Sequence, residues 1–376
     1  MSSISLCMIV KNEEEVLANC LESVKDICDE IIIVDTGSID NTKEVARKFT
    51  DKIYDFTWID DFSAARNYSF SLATKEYILW LDADDVILPE EQKKFKKLKK
   101  NLHSKIDAVS MIYVTATDEN GNPTFYYRRN RLVKRSKGFK WIGTVHEYLA
   151  VSGNILEADI SIHHLKKNKK PDPDSIGRNL RIYENRIKNG EEFSPRDLFY
   201  YANELKDHKQ YKKAIIYYQE FLDGKKGWVE DNIRACIYMA DCYAYLGEKD
   251  NELMSLLKTF AYDEPRSEAC CRIGDIFQER KNFKNAVFWY ELAVKMKNKK
   301  TGGFQHTSYT TWYPHLSLCV SYWQLGNVEE SIKHHEIAKQ YIPNHPKVLF
   351  NEEFFQNYLK KHKNSLSENN EGRMKQ

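Results

Sequence analysis

Four short runs of almost uninterrupted apolar residues, separated by segments with helical spacing, constrain this chain more than any other feature. The runs are Ile4–Val10, Glu30–Asp35, 52–56 and 77–82. Between the first two, segment 13–24 places an apolar residue at every third or fourth position, as on one face of a helix. Strands that are apolar on both faces must be covered on both sides, so the pattern predicts a parallel sheet between layers of helices.

The two halves of the chain have different periodicities. The first half continues after a lysine-rich helix with strand patterns at 108–117, 124–135 and 155–164. From about residue 178 only helical spacing remains, and small residues recur with aromatic partners, as in Gly274 with Tyr290. These units recur about every 34 residues and resemble tetratricopeptide repeats, although an unrelated helical bundle stays open because no unit has the full signature. The predicted divisions are a sheet domain at 1–165, a linker and connecting helix at 166–194, helical repeats at 195–361 and a disordered tail at 362–376.

Composition excludes several classes of protein. Lys and Arg number 57 and Asp and Glu 55, so the formal net charge of +2 argues against a dedicated nucleic-acid binder. No apolar run approaches the ~20 residues of a membrane helix, and the first run lacks a basic leader, so we expect a cytoplasmic protein without a membrane span. The 8 cysteines include no Cys-x-x-Cys pair, which favours buried reduced thiols over disulfides or a zinc site.

Polar residues follow three of the apolar runs at the point where each strand ends. They are the segments 11–13, 35–38 and 82–85. The carboxyl ends of parallel strands meet at one edge, where ligands bind in open sheets of this kind. The carboxylates of 82–85 suit Mg²⁺ or Mn²⁺, which substrate phosphates commonly share. A helix cap, in which Asp84 or Asp85 accepts from backbone N–H groups, is the competing interpretation.

Taken in order, these motifs resemble the family 2 glycosyltransferases of GT-A fold. The resemblance rests on the segments 4–14, 31–42, 62–67 and 80–85, and it covers roughly residues 4–165. The segment 143–147, Gly-Thr-Val-His-Glu, with a helical repeat tail, is similar to sublancin-type peptide S-glycosyltransferases and flagellin-modifying enzymes. The implied fold class is α/β, with a GT-A (Rossmann-like) nucleotide-sugar domain followed by an all-α tetratricopeptide-like domain.

The resemblance also implies residue roles. Asp35 matches the aspartate that binds uracil, Asp82 would face the ribose or donor sugar, and Asp84 would hold the metal ion. The nucleotide-sugar site it implies comprises Asn12, Glu13, Asp35, Ser38, Arg66, Asn67 and Asp82. His164, after the last strand pattern, matches a histidine that completes the metal shell. There the chain departs from the family, since His164 is followed by Leu-Lys-Lys where Tyr-Gly-Tyr is common.

Inverting sugar transfer also requires a general base that removes the acceptor proton. Glu147 is our first candidate and Asp85 the second, while His146 would bind the acceptor or position Glu147. A purely structural hydrogen bond between His146 and Glu147 is the alternative. The arginines of the strand pattern at 124–135 would neutralise a diphosphate or bind the acceptor, or simply form a solvated face.

The favoured hypothesis is an enzyme that moves a hexose or N-acetylhexosamine from UDP-glucose or UDP-GlcNAc, with Mn²⁺ or Mg²⁺, to a protein or peptide side chain (Ser, Thr or Cys). The repeats motivate this acceptor, because stacked helix pairs form a groove that suits an extended polypeptide. A second hypothesis is transfer to a cell-wall or capsule glycan precursor, with the tail forming a homodimer. A third is a non-catalytic interaction protein whose repeats do the binding.

Overall fold

The computed structural model describes residues 2–118, 121–165, 175–296 and 305–373. The chain forms two compact units, the first extending to Lys226 and the second beginning at Gly227. The first unit therefore contains the predicted sheet domain together with the first helices of the helical half. Segment 166–174, where a linker is predicted to begin, lies outside the described residues.

The first unit is built on a mixed sheet whose centre is parallel. Its strands are β1 (Ile4–Val10), β2 (Glu30–Asp35), β3 (Ile53–Asp55), β4 (Tyr77–Trp80), β5 (Asp85–Val86), β6 (Ala108–Thr117), β7 (Pro123–Lys134) and β10 (Ile155–His164). They run in the order β3-β2-β1-β4-β7-β6-β10-β5, and β1 pairs in parallel with both β2 and β4. The strands β8 (Trp141–Ile142) and β9 (Tyr148–Leu149) form a separate antiparallel pair. The predicted α/β class is confirmed.

Both faces of the sheet are covered, as the apolar strands require. The helices of the first unit are α1 (Leu17–Val24), α2 (Thr42–Arg47), α3 (Phe62–Ser71), α4 (Pro89–Asn101), α5 (Arg178–Lys188), α6 (Pro195–Asp207) and α7 (Tyr211–Asp223). Leu6 and Met8 of β1 pack with Leu17 of α1, whereas Cys7 between them packs on the opposite face with Phe70 of α3. Successive strand residues point to opposite faces, so an apolar residue at every position places a core on each side.

The second unit is helical throughout most of its described length. It contains α8 (Val229–Tyr245), α9 (Lys249–Lys258), α10 (Ser267–Glu279), α11 (Phe283–Lys295), α12 (Trp312–Gln324), α13 (Val328–Tyr341) and α14 (Pro346–Arg373). The short strand β11 (Gln305–His306) falls at a division between the units, with Gln305 in the first and His306 in the second. Gly274 and Tyr290 meet as the repeat pattern predicts, because a Cβ at position 274 would lie only 2.6 Å from the Tyr290 ring. Helix α14 ends at Arg373, inside the stretch 362–376 where the sequence predicts a tail.

Two further expectations concern the whole chain. The 8 cysteines are free thiols, and burial raises the pKa of Cys236 and Cys270 to about 12, which keeps them protonated. Among the helices that the structure describes, none has both the length and the apolar character that crossing a membrane requires.

Candidate active site

The ends of β1 and β2 are joined by hydrogen bonds between their following loops. The backbone N–H of Asn12 donates to Ser38 Oγ at 2.9 Å, and Asn12 Oδ1 accepts from the N–H of Ile39 at 2.9 Å. The N–H of Glu13 donates to Thr42 Oγ1 at 2.7 Å. Asn12 and Ser38 therefore shape the edge of the site by fixing these two loops to each other.

Asp35, the last residue of β2, has one carboxylate oxygen in use and one unsatisfied. Its side chain is only 1% exposed, and Oδ2 accepts from the N–H groups of Gly37 and Ser38 at 3.1 and 3.0 Å. The other oxygen, Oδ1, is buried and has no hydrogen-bond partner among the described residues. A buried acceptor without a donor is costly, so this oxygen suits a ligand N–H such as that of uracil.

Arg66 of α3 connects two carboxylates beyond the end of β4. Its guanidinium donates to Asp82 Oδ1 at 2.7 Å and to Glu147 Oε1 at 2.6 Å. The same group lies 5.1 Å from the ring centre of Trp80 and 4.8 Å from that of Trp141. Burial would raise the pKa of Asp82, but Arg66 and the other nearby arginines outweigh it and hold that pKa below its usual range. Asp82 is thus a fixed negative charge at the edge of the sheet.

Asp84 and His164 come together as a possible pair of metal ligands. His164 Nδ1 lies 3.2 Å from Asp84 Oδ1, and the antiparallel pairing of β5 with β10 places His164 beside Asp85. The ligand atoms of these three residues all lie within 4.8 Å of one another. Oxygen and imidazole ligands at this separation fit Mn²⁺ or Mg²⁺. The Asp84 carboxylate, as hydrogen-bond partner and nearby charge, raises the pKa of His164, and burial opposes the rise.

The structure argues against Asp85 as a general base. Asp85 is fully buried, its Oδ2 lies 2.9 Å from Arg131 Nη1, and the same oxygen accepts from the N–H of Asp82 at 2.9 Å. Arg131 is itself fully buried, with its guanidinium 3.9 Å from the Trp80 ring centre. A carboxylate enclosed in this way cannot reach an acceptor, and Arg131 cannot reach a diphosphate. Of the strand's arginines, Arg129 lies nearer the site, 3.9 Å from Asp82 Oδ2.

Asn67 contacts the backbone of β8, and His146 contacts α6. Asn67 Nδ2 donates to the carbonyl of Trp141 at 3.0 Å, and Asn67 Oδ1 accepts from the N–H of Trp141 at 2.9 Å. Its amide therefore anchors β8 and is not available to a nucleotide. The His146 ring faces α6 and forms a 2.6 Å contact with Glu204, whereas Glu147 faces Arg66. Because the two side chains contact different partners, the structure does not show the predicted alternative, a hydrogen bond between His146 and Glu147.

A cavity of about 460 Å³ lies along this edge of the sheet. Its lining includes Glu13, Arg66, Asp82 and Asp84, which sequence analysis predicted. Sequence analysis missed further lining residues, among them Trp58, Asp60, Arg178 and Arg181. Trp58 and Asp60 follow β3 at the same carboxyl edge, so strand order could have indicated them. Nothing in the sequence places α5, which carries both arginines, beside the sheet.

Comparison with protein-family models identifies the domain that contains this edge of the sheet. The family model for glycosyl transferase family 2 matches residues 5–158, and the tetratricopeptide repeat model matches residues 267–300. Residues 5–158 are a glycosyl transferase family 2 domain. This family 2 domain contains the strand ends, Arg66, the cluster 82–85 and the β8–β9 loop, so the match covers most of the cavity's polar residues.

Relatives of this chain include a tetratricopeptide repeat-containing protein and glycosyltransferases. The chain is 38% identical over 149 residues to a TPR repeat-containing protein of Synechococcus elongatus, covering 39% of this chain and 35% of the relative. It is 30% identical over 239 residues to the SPbeta prophage-derived glycosyltransferase SunS of Bacillus subtilis, covering 59% and 55%. An uncharacterized glycosyltransferase of Rickettsia typhi is 34% identical over 92 residues, covering 24% and 31%. The chain thus spans between about a third and about half the length of these relatives.

Solved structures similar to this chain are tetratricopeptide repeat proteins. They include YrrB, described as a TPR protein with an unusual peptide-binding site, at 13% identity, 48% of this chain, 84% of that chain and a TM-score of 0.36. MamA matches at 15% identity, 44% of this chain, 81% of that chain and a TM-score of 0.34. Scores this low leave the family models as the basis for the domain assignment.

Proposed function

We propose that this chain is an inverting, metal-dependent glycosyltransferase that takes a UDP-sugar and modifies a peptide or protein side chain. One observation carries the proposal. Asp82, held by Arg66, and Asp84, held beside His164, line the same cavity of a family 2 domain. Two carboxylates with separate partners at one strand end suit a nucleotide-sugar and its cation.

Different residues would bind different parts of the donor. Asp35 offers its unsatisfied Oδ1 to the N–H of uracil, and Asp82 faces the ribose or the sugar. Asp84 and His164 would hold Mn²⁺ or Mg²⁺. When bound, such an ion neutralises charge on the leaving diphosphate. UDP-glucose and UDP-GlcNAc are the proposed donors.

Glu147 is the proposed general base. Its side chain is 11% exposed, and one of its oxygens accepts from Arg66, which lines the cavity. In the transfer step the acceptor oxygen or sulfur bonds to the anomeric carbon as the bond to UDP breaks. Glu147 takes the acceptor proton, and the electron pair of the broken bond leaves with the diphosphate.

The acceptor is proposed from the second half of the chain. Stacked helix pairs of the repeat type form extended surfaces that suit polypeptide, and a small glycan acceptor would not need them. SunS, a relative that is 30% identical over 239 residues, is named a glycosyltransferase. A Ser, Thr or Cys side chain of a peptide or protein is therefore the proposed acceptor.

The test is turnover by the full chain with Mn²⁺ and a panel of UDP-sugars, read as UDP release and as added hexose mass on peptide acceptors. Glu147→Gln should bind UDP as the wild type does and lose transfer by about 10²- to 10⁴-fold, the usual contribution of a positioned base. Glu157→Gln, at an exposed position of β10, is the matched control. No UDP release with any donor from folded protein would overturn the proposal, and surviving transfer in Glu147→Gln would move the base elsewhere.

A further inference from the structure

The loop that carries Glu147 is attached to α3 on one side. It connects β8 with β9 and spans 143–147. The N–H of Phe62 donates to the carbonyl of Thr144 at 2.8 Å, and Arg66 donates to Glu147 at 2.6 Å. The α3 side therefore determines which groups Glu147 faces, but it leaves His146 unattached.

On its other side the loop is attached to α6. Arg196 donates to the carbonyl of His146 from both Nε and Nη2, at 3.1 and 3.0 Å. The Tyr200 ring stacks on the His146 ring, with centroids 4.4 Å apart and planes 15° from parallel. Glu204 Oε1 lies 2.6 Å from His146 Nε2 and also accepts from Asn179 at 3.1 Å. One loop residue thus has three partners on a single helix.

The three α6 residues form one stripe. They are Arg196, Tyr200 and Glu204, and residues four apart in a helix lie one above the other on the same face. His146 has a φ of 51°, a left-handed conformation that costs a residue other than glycine on the order of 1 kcal/mol and persists only where its surroundings enforce it. The side chains of α6 supply that enforcement immediately before Glu147.

We infer that α6 is part of the catalytic centre and that Arg196, Tyr200 and Glu204 are positioning residues that hold Glu147 against Arg66. The inference rests on the proposed function for its consequence, because Glu147 is the proposed base. Without α6, the sheet domain would hold the loop that carries Glu147 only through its contacts with α3. The first helix pair of the repeat region therefore belongs functionally to the transferase domain.

The test compares two truncating variants with their conservative counterparts in the full chain. Glu204→Leu removes the acceptor for His146, whereas Glu204→Gln keeps a side-chain oxygen. Tyr200→Leu removes the stacked ring, whereas Tyr200→Phe keeps it. We expect the leucine variants to lower kcat by about 10- to 100-fold with the donor KM within about twofold, since small misplacements of a reacting group have costs of this order. The conservative variants should recover most of the loss.

A second readout does not depend on turnover. Hydrogen exchange of the peptide covering 143–148 should become about tenfold faster in the leucine variants, with the rest of the sheet unchanged. Glu220→Gln, at an exposed position of α7, is the control for both readouts. Unchanged kcat and unchanged loop exchange in both leucine variants would overturn the inference. Faster hydrogen exchange throughout the sheet domain, with equal losses in kcat and UDP binding, would overturn it as well. If the wild type turns over no UDP-sugar, the proposed function fails, and the exchange experiment still decides whether α6 fixes the loop.

Discussion

The end of β4 and the β8–β9 loop each contain two adjacent ionisable residues that sequence analysis assigned to the site. At the end of β4, Asp84 is 34% exposed and lines the cavity, whereas Asp85 is fully buried against Arg131. In the loop, Glu147 faces Arg66, whereas His146 faces α6. In both places one member of the pair faces the donor-binding residues and its neighbour holds the local structure.

The difference between neighbours follows from the partner of each side chain. Neither pair lies within regular strand, because Asp84 is in the turn before β5 and His146 has a left-handed backbone, and in both places the two adjacent side chains have different partners. The second member then needs a partner of its own, because a buried charge without one is very costly. Arg131 meets this need for Asp85, and Glu204 is the hydrogen-bond partner of His146. Roles in a run of ionisable residues should therefore be assigned from the partner of each residue and not from adjacency in the sequence.

The largest expected effect separates Asp84 from the rest of its cluster. Asp84→Ala should lower turnover by about 10³-fold or more, because the proposed cation contributes several kcal/mol to stabilising the leaving group. Stability should change little, since the Asp84 side chain is partly exposed. UDP release and manganese-dependent UDP binding are the measurements, with Asp159→Ala, 85% exposed on β10, as control. Wild-type turnover in Asp84→Ala would remove the metal proposal.

Asp85 should show the opposite behaviour. Asp85→Asn leaves Arg131 charged and buried without its partner, a change that typically costs about 3–5 kcal/mol of unfolding free energy. Urea unfolding of Asp85→Asn beside Asp84→Asn measures the contrast, and only the former should be destabilised. If the unfolding free energies of the two variants differ by less than about 1 kcal/mol, the buried Asp85–Arg131 pair contributes little to stability, and the contrast between Asp84 and Asp85 fails.

Sequence patterns predicted the sheet and the set of strand ends, because strand burial and helical spacing are local properties of the chain. The strands, the carboxyl edge and the meeting of Asp84 with His164 all lie where the patterns and the resemblance placed them. Sequence analysis did not predict the partners of Asp85 and His146, because Arg131 and Glu204 are distant from them in the sequence. The spacing of Arg129 and Arg131 in a strand does place both on one face, which was an available signal.

Asn67 is a further residue whose observed partner differs from the one that the resemblance implies, and the expected effect of its substitution is smaller. Asn67→Ala removes two hydrogen bonds to the backbone of Trp141, and leaving those buried groups unpaired should lower the unfolding free energy by about 2 kcal/mol. UDP affinity should stay within about twofold, contrary to the role that the resemblance implies. Urea unfolding and calorimetric UDP titration check both statements. A large loss of UDP affinity at unchanged stability would restore Asn67 to the nucleotide site.

The smallest effect concerns the contribution of α5, which no sequence signal indicated. Arg181 is exposed and lines the cavity together with Asp82 and Asp84. An exposed guanidinium attracts a diphosphate by up to about 1 kcal/mol, so Arg181→Ala should weaken UDP binding by roughly threefold to fivefold. The difference should shrink at 1 M salt, where the screening length falls to about 3 Å. Lys188→Ala, at the far end of α5, should bind UDP as the wild type does, and equal affinity of Arg181→Ala at low salt would place the diphosphate away from α5.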